Sequence, residues 1–156
     1  MCSFSLLRAG RVVSARPSRD LVLLAERCHN ALRDTRGAAI GLAFVSPSEG
    51  TMTWLGIGNV EGRVLSGTPS ATRPKNSLAP GSGVLGHELP SVRATTLDVL
   101  PGDVLVLATD GIQSAFADSL DVSGSAQAIT ERILDAHRRP TDDALVVAAR
   151  YIGQRS

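Results

Sequence analysis

The clearest pattern in the chain is an unbroken apolar run, Val104 to Ala108, set between Pro101-Gly102-Asp103 and Thr109-Asp110-Gly111. So short an aliphatic run, closed by turn residues at both ends, predicts a strand buried on both faces and therefore central in its sheet. A second run, Ala144 to Ala149, follows Pro140-Thr141-Asp142-Asp143, so that acids stand at its entrance as Asp110 stands at the exit of the first. If the two strands are antiparallel neighbours, Asp110 and Asp142 come to the same sheet edge. A carboxylate at the exit of a buried strand is costly to desolvate unless a cation or strong donors meet it. Gly111 lets the backbone turn sharply there and leaves room beside the acid.

Elsewhere the periodicity changes. Leu21, Leu24, Ala25, Cys28 and Leu32 recur at helical spacing and predict a helix over 18–34, with Ser18 as its cap and Gly37 as the break after it. Residues 38–45 and 51–58 read as strands joined by the turn Ser46-Pro47-Ser48-Glu49-Gly50, and Asn59-Val60-Glu61-Gly62 reads as a second turn before a strand at 63–65. Three strands in succession predict a meander. Residues 66–80, rich in Ser, Thr, Pro, Arg and Lys, predict a surface loop. Strands are expected over 92–99 and 103–109. A helix over 125–137 turns Ala126, Ile129, Ile133 and Leu134 inward and stops at Arg138-Arg139-Pro140. With helices and strands in separate blocks, the fold class is α+β, a mostly antiparallel sheet covered by helices.

Composition narrows the function classes. A chain of 156 residues suits one domain, and with 3% aromatic residues its core must come from Leu, Val, Ile and Ala. A net charge of +1 without a basic cluster argues against a nucleic-acid partner. No apolar stretch reaches bilayer length and no cleavable leader is visible, so a cytoplasmic protein with no membrane partner is expected. Cys2 and Cys28 form neither a disulfide framework nor a zinc motif, and Cys28 falls on the apolar stripe. His29 lies beside that stripe and reads as a surface or boundary residue. The glycines of 81–87 lack the strand, helix and lysine of a phosphate-binding loop. Carboxylates gathered at one edge with oxygen-only chemistry point to magnesium or manganese; the competing reading is that Asp110 and Asp142 are turn residues, for which Asp-Gly and Thr-Asp-Asp are common.

Several segments resemble, in order and spacing, the PPM-type (protein phosphatase 2C class) metal-dependent serine/threonine phosphatases, in their bacterial SpoIIE-like and RsbX-like branch. They are residues 26–32 with Thr35-Arg36-Gly37, then Gly56-Ile57-Gly58-Asn59, Gly83-Val84-Leu85-Gly86, Pro101-Gly102-Asp103 through Asp110-Gly111-Ile112, and Thr141-Asp142-Asp143-Ala144. The resemblance spans residues 18–152. It implies an αββα sandwich with a two-metal site, Mn2+ or Mg2+, at one edge of the sheets. By motif position Asp110 and Asp142 are the metal ligands, with Gly111 and Asp143 in supporting places and Asn59 as scaffold in its Gly-Asn turn. The implied substrate is a phosphorylated regulatory protein of a sigma-factor switch, an anti-sigma-factor antagonist or a stressosome-like component.

The chain also departs from the family. An Asp-Gly-x-Gly segment, whose aspartate bridges both metals, has no counterpart in residues 1–17, and Asp20 and Asp34 lack a following glycine. Residues 1–17 therefore read as a poorly matched arm, and 18–152 as an N-terminally incomplete phosphatase domain, a partial αββα sandwich. Three readings stand. The chain is a phosphoserine/phosphothreonine phosphatase domain, a catalytically impaired relative acting as a regulatory binding module, or an unrelated α+β binding protein. A sandwich without its first strands leaves an apolar surface and an unpaired edge, so a homodimer or aggregation is expected.

Overall fold

The helical spacing after residue 18 folds as α1 (Leu21–Ala31), capped by Asp20, whose carboxylate accepts a hydrogen bond from the Leu23 amide at 3.0 Å. The helix is shorter than the expected 18–34, and the proposed cap Ser18 lies outside the described residues. The computed structural model describes residues 7–8, 11–12, 20–67, 76–78, 81–89, 91–118 and 120–153. Most of the expected arm, 1–17, therefore falls outside it. Two short strands there, β1 (Leu7–Arg8) and β2 (Arg11–Val12), pair with each other. Beyond α1 the chain reverses at Gly37, whose φ of +73° suits glycine; a Cβ there would lie 2.5 Å from the Leu85 carbonyl.

β3 (Ile40–Ser46) and β4 (Thr51–Ile57) form the expected hairpin, in register from Ile40 opposite Ile57 to Ser46 opposite Thr51. The expected meander then fails. β5 (Val60–Leu65) starts directly after Gly58-Asn59, and it leaves the sheet of β3 and β4 for a second one. There it pairs with β6 (Asn76–Leu78) on one side and β8 (Val104–Thr109) on the other, while β7 (Thr95–Asp98) returns to β4. β9 (Val146–Arg150) completes the second sheet, giving the antiparallel orders β3-β4-β7 and β6-β5-β8-β9. The physical reason lies with Trp54. A Cβ on Gly41 or Gly56 would meet its indole at 2.8 Å and one on Gly62 at 3.2 Å. Three glycines on three strands thus make room for one ring, which requires β5 to face β4 rather than lie beside it.

Part of the segment expected as a polar surface loop, 66–80, is the edge strand β6, whose Leu78 is buried between the sheets. A 3-10 helix (Ser114–Ala117) and α2 (Ala126–His137) follow β8, the latter capped by the Ser125 hydroxyl, which accepts from the Ala128 amide. Three apolar clusters define the layers. α1 packs its Leu21 and Ala25 on Ile40, Leu55 and Ile57 of one sheet. Met52, Trp54, Val64 and Leu78 lie between the sheets. Phe116, Ile129 and Ile133 cover Val104, Val106 and Ala108 on the outer face of the other sheet. The α+β class and the central place of β8 thus stand as expected. Among the described residues no helix is long and apolar enough to cross a membrane.

Candidate functional site

The exit of β8 and the entrance of β9 lie at one end of the four-stranded sheet, and the ladder between them runs on past the strands. Ala108 stands opposite Val146. One step further, the Thr109 amide donates to the Leu145 carbonyl at 3.1 Å, and the Leu145 amide donates to the Thr109 hydroxyl at 3.0 Å. Two steps on, Gly111 lies against Asp143: a Cβ on Gly111 would sit 2.3 Å from the Asp143 carbonyl oxygen. Gly111 is required for this close approach rather than for a left-handed φ, which it does not have. The loop out of α2 closes around it, with Arg139 donating its amide to the Gly111 carbonyl at 2.8 Å. Asp110, Asp142 and Asp143 are thereby gathered at the same sheet end.

Register also places Asn59. Val60 stands opposite Thr109, so the residue before β5 comes level with the one after β8. The Asn59 side-chain amide donates to Asp110 Oδ2 at 2.5 Å. Asp142 Oδ1 accepts from the Asp143 amide at 2.9 Å, which fixes the turn into β9. Asn59, Asp110, Asp142 and Asp143 are all exposed. This corrects one expectation: Asp110 is not a desolvated carboxylate at the mouth of a buried strand, because the strand's burial ends at Ala108 and the acid reaches water with an amide donor beside it.

The donor set is oxygen-only and open to solvent, which suits a hard divalent cation. In number it falls short of a two-ion centre: among the described residues no three His, Cys, Asp or Glu side chains are grouped closely enough to hold a metal. Two of the carboxylate oxygens already accept amide hydrogens, which orients the acids without neutralising them.

Other resemblance segments have a packing role. The Gly81 amide donates to the Gly56 carbonyl at 3.1 Å and the Gly58 amide to the Gly81 carbonyl at 2.9 Å, which ties the glycine-rich stretch to the end of β4 next to Asn59. The Gly86 amide donates to His29 Nδ1 at 3.1 Å, so this half-buried histidine anchors α1 to the same stretch. Ala38 and Leu85 exchange both backbone hydrogen bonds at 3.0 Å. The sequence reading missed Thr109, whose hydroxyl pins the start of β9. Its signal was a hydroxyl residue immediately before an Asp-Gly at a strand exit.

The sequence model of the Stage II sporulation protein E (SpoIIE) family matches residues 3–152. No curated protein matches. Among solved structures, a chain from the bacterial stressosome, described as a modular system adapted to control secondary messenger signalling, superposes with a TM-score of 0.74 at 27% identity. The match covers 85% of this chain and 68% of that one. RsbX in complex with magnesium gives 0.69 at 21% identity, covering 83% of this chain and 63% of its own. The phosphatase domain of SpoIIE from Bacillus subtilis, presoaked with manganese, gives 0.53 at 13% identity over 97% of this chain and 84% of that domain. For RsbX and SpoIIE the likeness is one of fold. The chain spans about two thirds of the length of the stressosome and RsbX chains.

Proposed function

The chain belongs to the SpoIIE family of PP2C-type phosphatase domains, and from that premise we propose that it is a metal-dependent phosphoserine or phosphothreonine protein phosphatase domain. Its substrate is a phosphorylated regulatory protein of a cytoplasmic bacterial signalling or sigma-factor switch, of the anti-sigma-factor antagonist or stressosome-like kind. The observation that carries this reading is the β8-β9 ladder, which continues through Thr109 and Gly111 and sets Asp110 and Asp142 at one sheet end. Asp110 and Asp142 would hold Mg2+ or Mn2+, the metals named with RsbX and SpoIIE. Gly111 and Asp143 shape the turn, and Asn59 holds the Asp110 carboxylate in place. The bound ion would supply neutralisation of phosphoryl charge and a more acidic water.

The short supply of grouped acids among the described residues favours a second reading, a catalytically impaired relative that binds its regulator without dephosphorylating it. Hydrolysis of a phosphoserine peptide separates the two. The phosphatase reading expects turnover that needs manganese or magnesium, stops with chelator, and falls at least about a hundredfold in Asp110→Asn while melting is unchanged. Turnover by this chain is expected to be slow, and an upstream Asp-Gly-x-Gly segment is expected to raise it. No turnover with or without that segment, together with co-purification of a phosphoprotein, would put the binding module in its place.

A further inference from the structure

Past α2 the chain folds back along the turn that follows Asp110. The Gln113 amide donates to the His137 carbonyl at 2.9 Å and the Arg139 amide to the Gly111 carbonyl at 2.8 Å, so Ile112 and Arg138 form an antiparallel bridge with Gly111 and Arg139 level beside it. Level partners in such a pairing have Cα atoms about 5 Å apart. The Arg139 carbonyl in turn accepts from the Asp142 amide at 3.5 Å and closes the turn Arg139-Pro140-Thr141-Asp142, whose ends lie within about 7 Å of each other. Pro140 fixes φ at the second position of that turn and keeps α2 from running on. Arg139 thus stands between the two candidate ligands, one step from Asp110 across the bridge and one turn from Asp142.

Arg138 and Arg139 are both exposed, and neither guanidinium has a hydrogen-bond or ion-pair partner among the described residues. Arg63, Arg132 and Arg150 differ, each being bound within the fold to a carboxylate or to backbone carbonyls. A helix C-terminus attracts cations and accounts for Arg138, which caps α2 by donating its amide to the Leu134 carbonyl. It does not account for Arg139, whose backbone is held to the Asp-Gly turn beyond the helix. The charge balance of the site gives Arg139 a task. Asp110, Asp142 and Asp143 together outweigh one divalent ion, so a doubly charged phosphate would meet a net negative site. Two guanidiniums on the loop that closes the site reverse that sign.

We infer that Arg139, with Arg138 beside it, binds the phosphoryl group of the substrate: its guanidinium takes two non-reacting oxygens of a phosphoserine and leaves Asp110 and Asp142 to the cation. The inference rests on the phosphatase reading of that site. The planar fork of an arginine matches two phosphate oxygens, and its charge is permanent. The protein thereby supplies part of the positive charge for which the described residues offer too few grouped acids to recruit a second ion.

The test compares two peptides by calorimetry on the whole chain with magnesium present, one carrying a non-hydrolysable phosphonate in place of phosphoserine and the other plain serine. The phosphonate form is expected to bind more tightly, and Arg139→Ala to reduce that preference at least about tenfold at unchanged melting temperature. Arg139→Lys, which keeps the charge and loses the fork, is expected to reduce it only severalfold. Magnesium affinity, titrated without peptide, should hold or rise in both variants. Equal binding of the two peptides by the unaltered chain overturns the inference, as does a preference that survives Arg139→Ala. A preference lost only together with magnesium affinity overturns it too, since Arg139 would then have a structural part. If Arg139→Ala removes the preference in a chain without metal-dependent turnover of the phosphoserine peptide, the phosphatase reading fails and the phosphate site stands. If turnover is present and its KM and kcat are untouched by Arg139→Ala, the phosphate site fails and the phosphatase reading stands.

Discussion

The two sheets treat their strand ends differently. In the four-stranded sheet β8 is paired along both edges, with β5 over its whole length and with β9 to Ala108, and the pairing continues through Thr109 into the turn. In the three-stranded sheet β7 holds β4 for four positions and then lets go. Where pairing reaches the strand end, the exposed acids Asp110 and Asp142 are each oriented by an amide donor at one sheet end. Where β7 lets go, the glycine-rich stretch takes its place, with the Gly81 amide on the Gly56 carbonyl and the Gly58 amide on the Gly81 carbonyl. The first region is held by a continuous ladder, and the second by a substitute loop contact.

The largest effect expected is on the rigid side. Phe116 is fully buried over β8, and Phe116→Ala is expected to cost about 4 kcal/mol in urea unfolding. Leu97→Ala, at a half-buried position on β7, should cost less than about 2 kcal/mol. Native-state hydrogen exchange should agree, with the β7 amides exchanging by local opening well before those of β8. Equal costs and equal protection would erase the distinction between the sheets.

A pair of glycines sharpens it. Gly111→Ala puts a Cβ 2.3 Å from the Asp143 carbonyl, which rigid backbone on both sides cannot yield, and about 3 kcal/mol is expected to be lost, with metal affinity if any. Gly50→Ala, with φ of +62° and the nearest atom at 3.8 Å, carries only backbone strain of about 1 kcal/mol. Thermal or urea unfolding of both variants measures the difference. A Gly111→Ala protein as stable as Gly50→Ala would mean that the site end is looser than the β8-β9 ladder implies.

The rigid region was also the more legible one. The run Val104 to Ala108 between Pro-Gly and Asp-Gly states its own burial, and the acids at either end of two adjacent apolar runs follow from it. Ser125 and Arg138-Arg139-Pro140 marked both ends of α2. What failed did so where local pattern does not reach. Gly58-Asn59 could join two strands of one sheet as readily as it passes β5 to another, and the choice is made by Trp54 packing on Gly41, Gly56 and Gly62 from three different strands. β6 hides in a polar segment because one buried side chain, Leu78, is all that a three-residue edge strand needs. The exposure of Asp110 was misread because strand burial was carried one turn too far. Where β7 stops pairing with β4 is likewise announced by no residue of β7.

The smallest effect tests the outer layer over the three-stranded sheet. Cys28 lies on α1 against the cluster of Leu55 and Ile57, and burial pushes its thiol pKa up. Above the unfolded thiol's pKa, near 8.5, the unfolded chain releases a proton that the folded protein keeps. The folded state then binds more protons, so its stability is full below that pH and declines as pH rises toward the raised folded value. In a Cys2→Ser background, the urea midpoint should therefore fall more between neutral and alkaline pH than it does when Cys28→Ala is added. Alkylation of Cys28 at mildly alkaline pH should likewise lag behind that of a free thiol, because the thiolate is the reactive form. Should Cys28 react as fast as a free thiol, α1 must open readily from its sheet, and the local opening expected at β7 would extend across the whole three-stranded side rather than being confined to β7.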